Sequence, residues 1–535
     1  MVTQTPSNHR TALGYAAEQG DVDQVKKLLA DPENNVNEPD DKCKYPLHLA
    51  AENGHAEVVK LLLAEPLIDV NVFDSYGCTP LYFAVRYGYI DIVKLLVSAP
   101  GIDVNKGGLL ATATRAGNID IVKLLVSAPG IDVNKDELLA KVTGMGQIDI
   151  MKLLLTVPGA DVNNGAPLAM AAGRGRIDIV KLLLSVPCVD VNNGAPLAEA
   201  AEWGEIDIVK LLLSVRGVDV NNGAPLANAA RRGHIDIVKL LLSVRGVDVN
   251  KNAPLAEAAW NGHIDIVKLL LSVRGVDVNQ DVPLAKAAEE GHLDIVKLLL
   301  ATPGVNVNKG APLAKAAEEG HIDIVKQLLA TPGVDVNKGA PLATASEEGP
   351  IDIVKLLLAT PGVNVNKGAP LAKAAEEGHI DIVKLLLTVP GMAVNKGNPL
   401  MLTVEREQER CFKLLLSNRL INVNQYDCLG NTALSVAEKK DKYGQYAELL
   451  RKHPNIRFSL MAVILRYTTA PVWRVISNGK FWERLYDVLA ILAVVFYLVY
   501  ADLIPGFFSF VFVPIFFLWG AYYGWRICLW YSRRS

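Results

Sequence analysis

Asp91, Asp120, Asp149, Asp178, Asp207, Asp236, Asp265, Asp294, Asp323, Asp352 and Asp381 fall 29 residues apart, each opening a D-I-(V/M)-K segment. Ten identical intervals cannot come from composition; one structural unit is repeated along the chain. A short fixed period specifies a solenoid in which each unit touches mainly its neighbours. Such a chain offers a long surface rather than a pocket, so the expectation is binding, not catalysis.

Residues 308–336, NKGAPLAKAAEEGHIDIVKQLLATPGVDV, show one unit. Pro312 can start a helix without losing a hydrogen bond, because first-turn N–H groups have no partner in the helix. Leu313, Ala316 and Ala317 mark the buried side of a short helix that Gly320 stops. A second helix begins near His321, with Ile324, Val325, Leu328 and Leu329 as its buried stripe. Pro332-Gly333 ends it. Neither helix can bury its apolar side alone, which is why the units stack.

Residues 45–63, YPLHLAAENGHAEVVKLLL, and 79–97, TPLYFAVRYGYIDIVKLLV, resemble ankyrin repeats, with the pattern T-P-L-H-x-A-A-x-x-G-H-x-x-(I/V)-V-x-L-L-L. The pattern recurs about fifteen times from Thr11 to roughly Lys452. The resemblance implies an all-α ankyrin-repeat solenoid that binds a protein partner through its concave face. One departure is informative. The spacing is 34 from Asp23 to Glu57 and from Glu57 to Asp91, then falls to 29. Eight residues, VFDSYGCT, separate Asn71 from Pro80, whereas three, Asn164-Gly165-Ala166, separate Asn163 from Pro167. The five missing residues are the tip of the β-hairpin finger, so fingers are expected only near the ends. Thr79, an N-cap, is replaced by Ala in most trimmed units, a loss of about 1 kcal/mol unless a nearby Asn or Gly substitutes.

The short inner helices must then carry the contacts. Their exposed positions vary: Trp203, Arg231-Arg232 and Trp260, then Glu289-Glu290, Glu318-Glu319, Glu347-Glu348 and Glu376-Glu377. Stacked, the glutamates form an acidic stripe, and Arg216, Arg245 and Arg274 a basic ladder in loops. One reading is a charged groove for a basic peptide or helix anchored on Trp203 and Trp260. The other is a solvated face, its stripe neutralised within each helix by Lys286 and Lys315.

Other motifs carry no chemistry. His55, His234, His263, His292, His321 and His379 occupy the ankyrin Gly-His position and are expected to bond neighbouring loops rather than a metal. The asparagines from Asn105 to Asn424 read as loop bonding by the side-chain amide. Gly144-Met145-Gly146 lies between helices, so it is no dinucleotide fingerprint, and no P-loop, G-x-S-x-G, kinase set or H-E-x-x-H is found. No enzyme, cofactor, metal site or small-molecule substrate is expected.

The net charge of −3 hides an asymmetry. Residues 451–535 hold ten Lys/Arg against Glu483, Asp487 and Asp502, hence +7, leaving −10 for residues 1–450. The repeats therefore suit no nucleic acid, and the tail suits an anionic membrane surface. Six scattered cysteines without a C-x-x-C pair point to a reducing compartment, and the first residues, MVTQTPSNHR, hold no secretory signal.

Residues 488–525 carry one charge, Asp502. They predict two transmembrane helices, near 485–504 and 507–527, turning at Asp502–Gly506. An aspartate at mid-bilayer costs about 3 kcal/mol, which favours the turn for it. Lys480 and Arg484 before the pair, and Arg526 after it, put both flanks on the cytoplasmic side, with Trp482 and Trp530 at the interfaces. Arg466 and Trp473 belong to a basic amphipathic lead-in. A hairpin wedged into one leaflet is the alternative. The expected order is a disordered arm (1–10), repeats of about 34 residues (11–104), trimmed repeats (105–424), a capping repeat (425–453), the lead-in (454–484) and a membrane hairpin (485–531). Tandem units with a membrane tail also resemble ankyrin effectors that intracellular bacteria deliver into host cells. In that reading the hairpin remodels membrane and the repeats supply targeting.

Overall fold

The computed structural model describes residues 11–134, 137–440 and 444–455. Among them thirty helices, α1 (Ala12–Gln19) to α30 (Gln445–Lys452), follow as leading and trailing partners in fifteen pairs. No described residue lies in a strand. The pairs fall into two compact units, the first holding α1 to α22 (Ile322–Leu329) and the second α24 (Ile351–Leu358) to α30. No described helix is long and apolar enough to cross a membrane. The N-terminal arm, most of the lead-in and the expected hairpin lie outside the described residues.

The unit at 308–336 shows why the pairs form. Pro312 takes the first position of α21 (Pro312–Glu318), and Gly320 follows its end at φ 79°, where a side chain would be strained. Leu313, Ala316 and Ala317 are buried as expected, and Ala314 joins them. In α22 Ile324, Val325 and Leu328 are buried, whereas Leu329 is only half-covered. Each buried Ile, Val or Leu contributes about 1.5–3 kcal/mol. The alanines let successive leading helices lie close together. In the second unit α28 (Glu409–Leu416) fills the same stripe with Cys411, Phe412 and Leu415, and Phe412 meets the Tyr446 ring of α30 edge-on at 4.9 Å.

Among the described residues, fingers survive only as tight turns in the early and late repeats. The Asp40 and Asp74 N–H groups donate to the Lys44 and Cys78 carbonyls at 2.9 and 3.0 Å, and that of Asp427 to Asn431 at 2.9 Å. Each aspartate carboxylate also accepts from N–H groups across its turn. The five-residue deletion removes this turn from the trimmed units.

The threonine cap is lost as expected, and in α13 (Pro196–Trp203) and α15 (Pro225–Arg232) no nearby side chain substitutes for it. Thr79 accepts from the Tyr82 N–H at 3.2 Å, but the leading helices α13 and α15 start from Ala195 and Ala224 with no side-chain cap. The shortened connection must reverse within two left-handed residues, Gly194 at φ 72° and Ala195 at φ 56°. Asn193, the candidate cap, instead donates to the Asn163 carbonyl of the previous unit at 2.6 Å. Its amide ties units together and leaves the helix start bare.

Candidate partner-binding face

Counting back from the glycine that follows each leading helix, three positions one, two and five residues before it face solvent. Around Gly204 they are Trp203, Glu202 and Glu199, and around Gly233 they are Arg232, Arg231 and Asn228. With only alanines between the helices, these positions meet across neighbouring units. Trp203 is 56% and Trp260 43% exposed. The Arg232 guanidinium lies 5.3 Å from the Trp203 ring, and the Lys286 ammonium 5.1 Å from that of Trp260. At such exposed sites each stacking contributes about 0.5–1 kcal/mol. Trp260 Nε1 also donates to Glu290 at 2.7 Å.

Arg231 and Arg232 both reach Glu202 Oε1, each at 2.9 Å. The hydrogen bond from Arg232, with the charges of both arginines, holds the Glu202 carboxyl below its usual range against a desolvation that raises it. Two cations thus share one carboxylate.

Five of the eight stripe glutamates are engaged, mostly between successive repeats of the same compact unit. In the first compact unit Lys315 pairs with Glu289 of the preceding repeat at 2.9 Å and with its own helix-mate Glu318 at 3.3 Å. Lys286 bonds Glu257 and Asp281, not Glu289 or Glu290. In the second unit Lys373 holds Glu347 at 2.7 Å and Arg406 holds Glu376 at 2.8 Å. These bonds raise the Lys315 and Lys373 pKa values, first through Glu289 and Glu347 respectively. Pairing within one helix was the expectation for Lys286 and Lys315. Lys315 makes that pair with Glu318, but its shorter bond crosses to Glu289, which stands at the equivalent position of the preceding repeat, while Lys286 makes no such pair. Glu319, Glu348 and Glu377 remain exposed.

A model of ankyrin repeats, in three copies, matches residues 13–108, 137–224, 215–282, 284–369, 313–398 and 371–460, which is most of the chain. This chain belongs to the ankyrin repeat family. Among solved structures, the ankyrin repeat protein EF0377 is similar, with 30% identity over 32% of this chain and 96% of that one, at a TM-score of 0.31. No curated protein matches.

The ankyrin loop residues serve the stack. His234, His263 and His292 place Nε2 on the Glu202, Arg231 and Trp260 carbonyls of the preceding unit at 3.0, 3.1 and 3.0 Å. His55, His321 and His379 do the same at Glu18, Glu289 and Glu347. The asparagines work in both directions: Asn250 donates to the Gly275 carbonyl at 2.8 Å and accepts from the Asp277 N–H at 2.7 Å. Among the described residues no group of His, Cys, Asp and Glu is gathered as metal ligands. Arg216, Arg245 and Arg274 stand exposed in the loops after trailing helices. The membrane-interface residues Arg466, Trp473, Lys480, Trp482, Arg484, Arg526 and Trp530 lie outside the described residues.

Sequence reasoning missed one group. Arg86, Arg115, Lys141 and Arg174 occupy the same solvent-facing positions further toward the N-terminus, and all four are exposed. Counting back one, two or five positions from Gly88, Gly117, Gly146 and Gly175 would have found them.

Proposed function

We propose that this ankyrin repeat protein is a membrane-anchored scaffold that holds a protein partner on its row of leading helices and performs no catalysis. The observation that carries the reading is where the copies differ. Their buried Ala, Ile, Val and Leu positions are nearly invariant from unit to unit, while Trp203, Arg231, Arg232 and Trp260 break the pattern on the exposed side. Aromatic and arginine side chains are the usual anchors of protein interfaces. Charge pairing between units fixes the rotamers around them, which lowers the ordering cost of binding.

The anchor rests on the sequence of residues 485–531, with both flanks on the cytoplasmic side. A second reading is favoured by Arg457, Arg466 and Arg474 between apolar stretches. There the hairpin remodels the bilayer and the repeats address it, as in a host-targeted effector. Two measurements test these readings. A photo-crosslinker at Asn228, on the leading row, captures a discrete protein on membranes, whereas one at Lys239 on trailing helix α16 (Ile235–Leu242) does not; equal capture at both refutes the binding face. An epitope after Ser535 is digested from the cytosolic side of membranes that resist carbonate extraction. Release of the chain by carbonate refutes the anchor.

A further inference from the structure

The acidic stripe draws attention to a basic partner, but Glu289, Glu318, Glu347 and Glu376 already hold cations and Glu290 the Trp260 indole. A second charge surplus on this face, of the opposite sign, lies further toward the N-terminus. Across the leading helices α5 (Pro80–Tyr87), α7 (Leu109–Arg115), α9 (Leu138–Met145), α11 (Pro167–Gly173), α13 and α15, with the Arg174 that follows α11, six cations face two glutamates, Glu199 and Glu202. Arg86 donates to the Tyr82 hydroxyl at 3.0 Å and Arg174 to the Met170 sulfur at 3.3 Å. Arg115 and Lys141 are exposed with no carboxylate in ion-pair range among the described residues. Arg231 and Arg232 share one oxygen of Glu202. This surplus sits in a repeat region whose overall balance is negative, so it is local.

Apolar surface runs beside it. Tyr87 and Met145 are 49% and 39% exposed, and Trp203 56%. Gly144 and Gly173 make room for the row: a Cβ at Gly144 would lie 3.7 Å from Arg174, and one at Gly173 would lie 3.2 Å from Trp203. The long side chains lean into the gaps that the small residues leave.

We infer that this stretch of the first unit is a docking track for an acidic, extended segment of a partner protein. The inference rests on the scaffold reading and gives its partner a chemistry. Neighbouring packed helices lie about 8–10 Å apart. An extended chain advances about 3.3 Å per residue. With roughly one cation per unit, a matching segment carries a carboxylate at about every third position, over about 14 residues, with apolar side chains between for Tyr87, Met145 and Trp203.

The probe is a synthetic 15-residue peptide with Glu at every third position and Leu or Phe among the rest. Its counterpart has Lys at the same positions. Binding to the full-length chain in non-ionic detergent is followed by anisotropy of a label on the peptide. The Glu peptide is expected to bind at least tenfold more tightly than the Lys peptide, and to weaken as salt rises. The triple variant Arg115→Glu, Arg174→Glu, Arg232→Glu should lose tenfold or more, with helicity and melting unchanged. The pair Glu318→Gln, Glu319→Gln should bind the peptide as the parent does. Equal binding of both peptides, no binding of either, or an unaffected triple variant overturns the track. So does binding of anionic vesicles by these residues without the Glu peptide. Crosslinking at Asn228 separates the levels: capture that survives the triple variant sinks the acidic track alone, whereas no capture at Asn228 sinks the binding face as well.

Discussion

Replacing Gly233 with alanine tests how the stack is held. Gly233 has φ 84°, and an added Cβ would lie 2.6 Å from Cε1 of the His263 ring. Two penalties result. The left-handed backbone costs an alanine about 1–2 kcal/mol relative to glycine. The collision also moves His263 from the Arg231 carbonyl, 3.1 Å away, and a lost hydrogen bond costs about 0.5–1.5 kcal/mol. The expected total is about 2–3 kcal/mol. Gly246→Ala is the control: its φ is 92°, yet nothing lies within 4 Å of the new Cβ, so only the backbone penalty of about 1–2 kcal/mol applies. Repeat arrays unfold in parts, so the assay is native-state hydrogen exchange of the amides in α15, α16 and α18 (Ile264–Leu271) of the full-length chain. The Gly233 variant should lose about 1 kcal/mol more local protection than the Gly246 variant. Adding His263→Ala to Gly233→Ala removes the collision, so the two effects should be less than additive. Equal losses at both glycines, or full additivity in the double variant, would refute the role given to the imidazole.

Three further outcomes are expected. Asn250→Ala breaks two bonds to the next unit and should lower protection around Gly275–Asp277 by about 1 kcal/mol, kept small by solvent access; unchanged exchange there refutes the clamp. His48 is buried, with Nε2 on the Cys78 carbonyl at 3.0 Å, and burial pushes its pKa below the ordinary 6.5. Its protonation then favours the unfolded chain, so its contribution is complete above about pH 6.5 and declines as pH falls below it. Melting of the first repeats should show this slope, and His48→Gln should flatten it. Glu202→Gln leaves Arg231 and Arg232 without their shared carboxylate. It should change stability by less than about 1 kcal/mol, as an exposed pairing does, while tightening binding of the Glu peptide; weaker peptide binding contradicts the docking track.

Much of the fold was legible because its signals are local. Proline at the first helical turn, glycine after the last, and Ile324-Val325-Leu328 at helical spacing specify a helix pair within about 20 residues. The shortened Asn-to-Pro connection likewise located the missing fingers. The candidate face was legible in part. Trp203, Trp260 and the arginine pair were visible as breaks in a copied pattern, but the pairing of glutamates across repeats was not. The pairing of Lys315 with its helix-mate Glu318 was legible from spacing along one helix, but its bond to Glu289 and those of Lys286 to Glu257 and Asp281 were not.

The sequence by itself determined the period, the helix pairs, their buried stripes and the lost fingers, since each depends on residues a few positions apart. Only the tertiary structure decided what meets across units: Lys315 with Glu289, Asn250 with Gly275, and His263 with Arg231, separated by 26, 25 and 32 residues. It also decided that Ala195 would start a helix in a left-handed conformation that its side chain disfavours. The physical reason is stacking. A leading helix of seven or eight residues has little surface of its own, so its exposed side chains find their closest partners on the next copy. Spacing along one helix gives the sequence no means of indicating that Lys315 will reach Glu289 of the preceding repeat as well as its own Glu318.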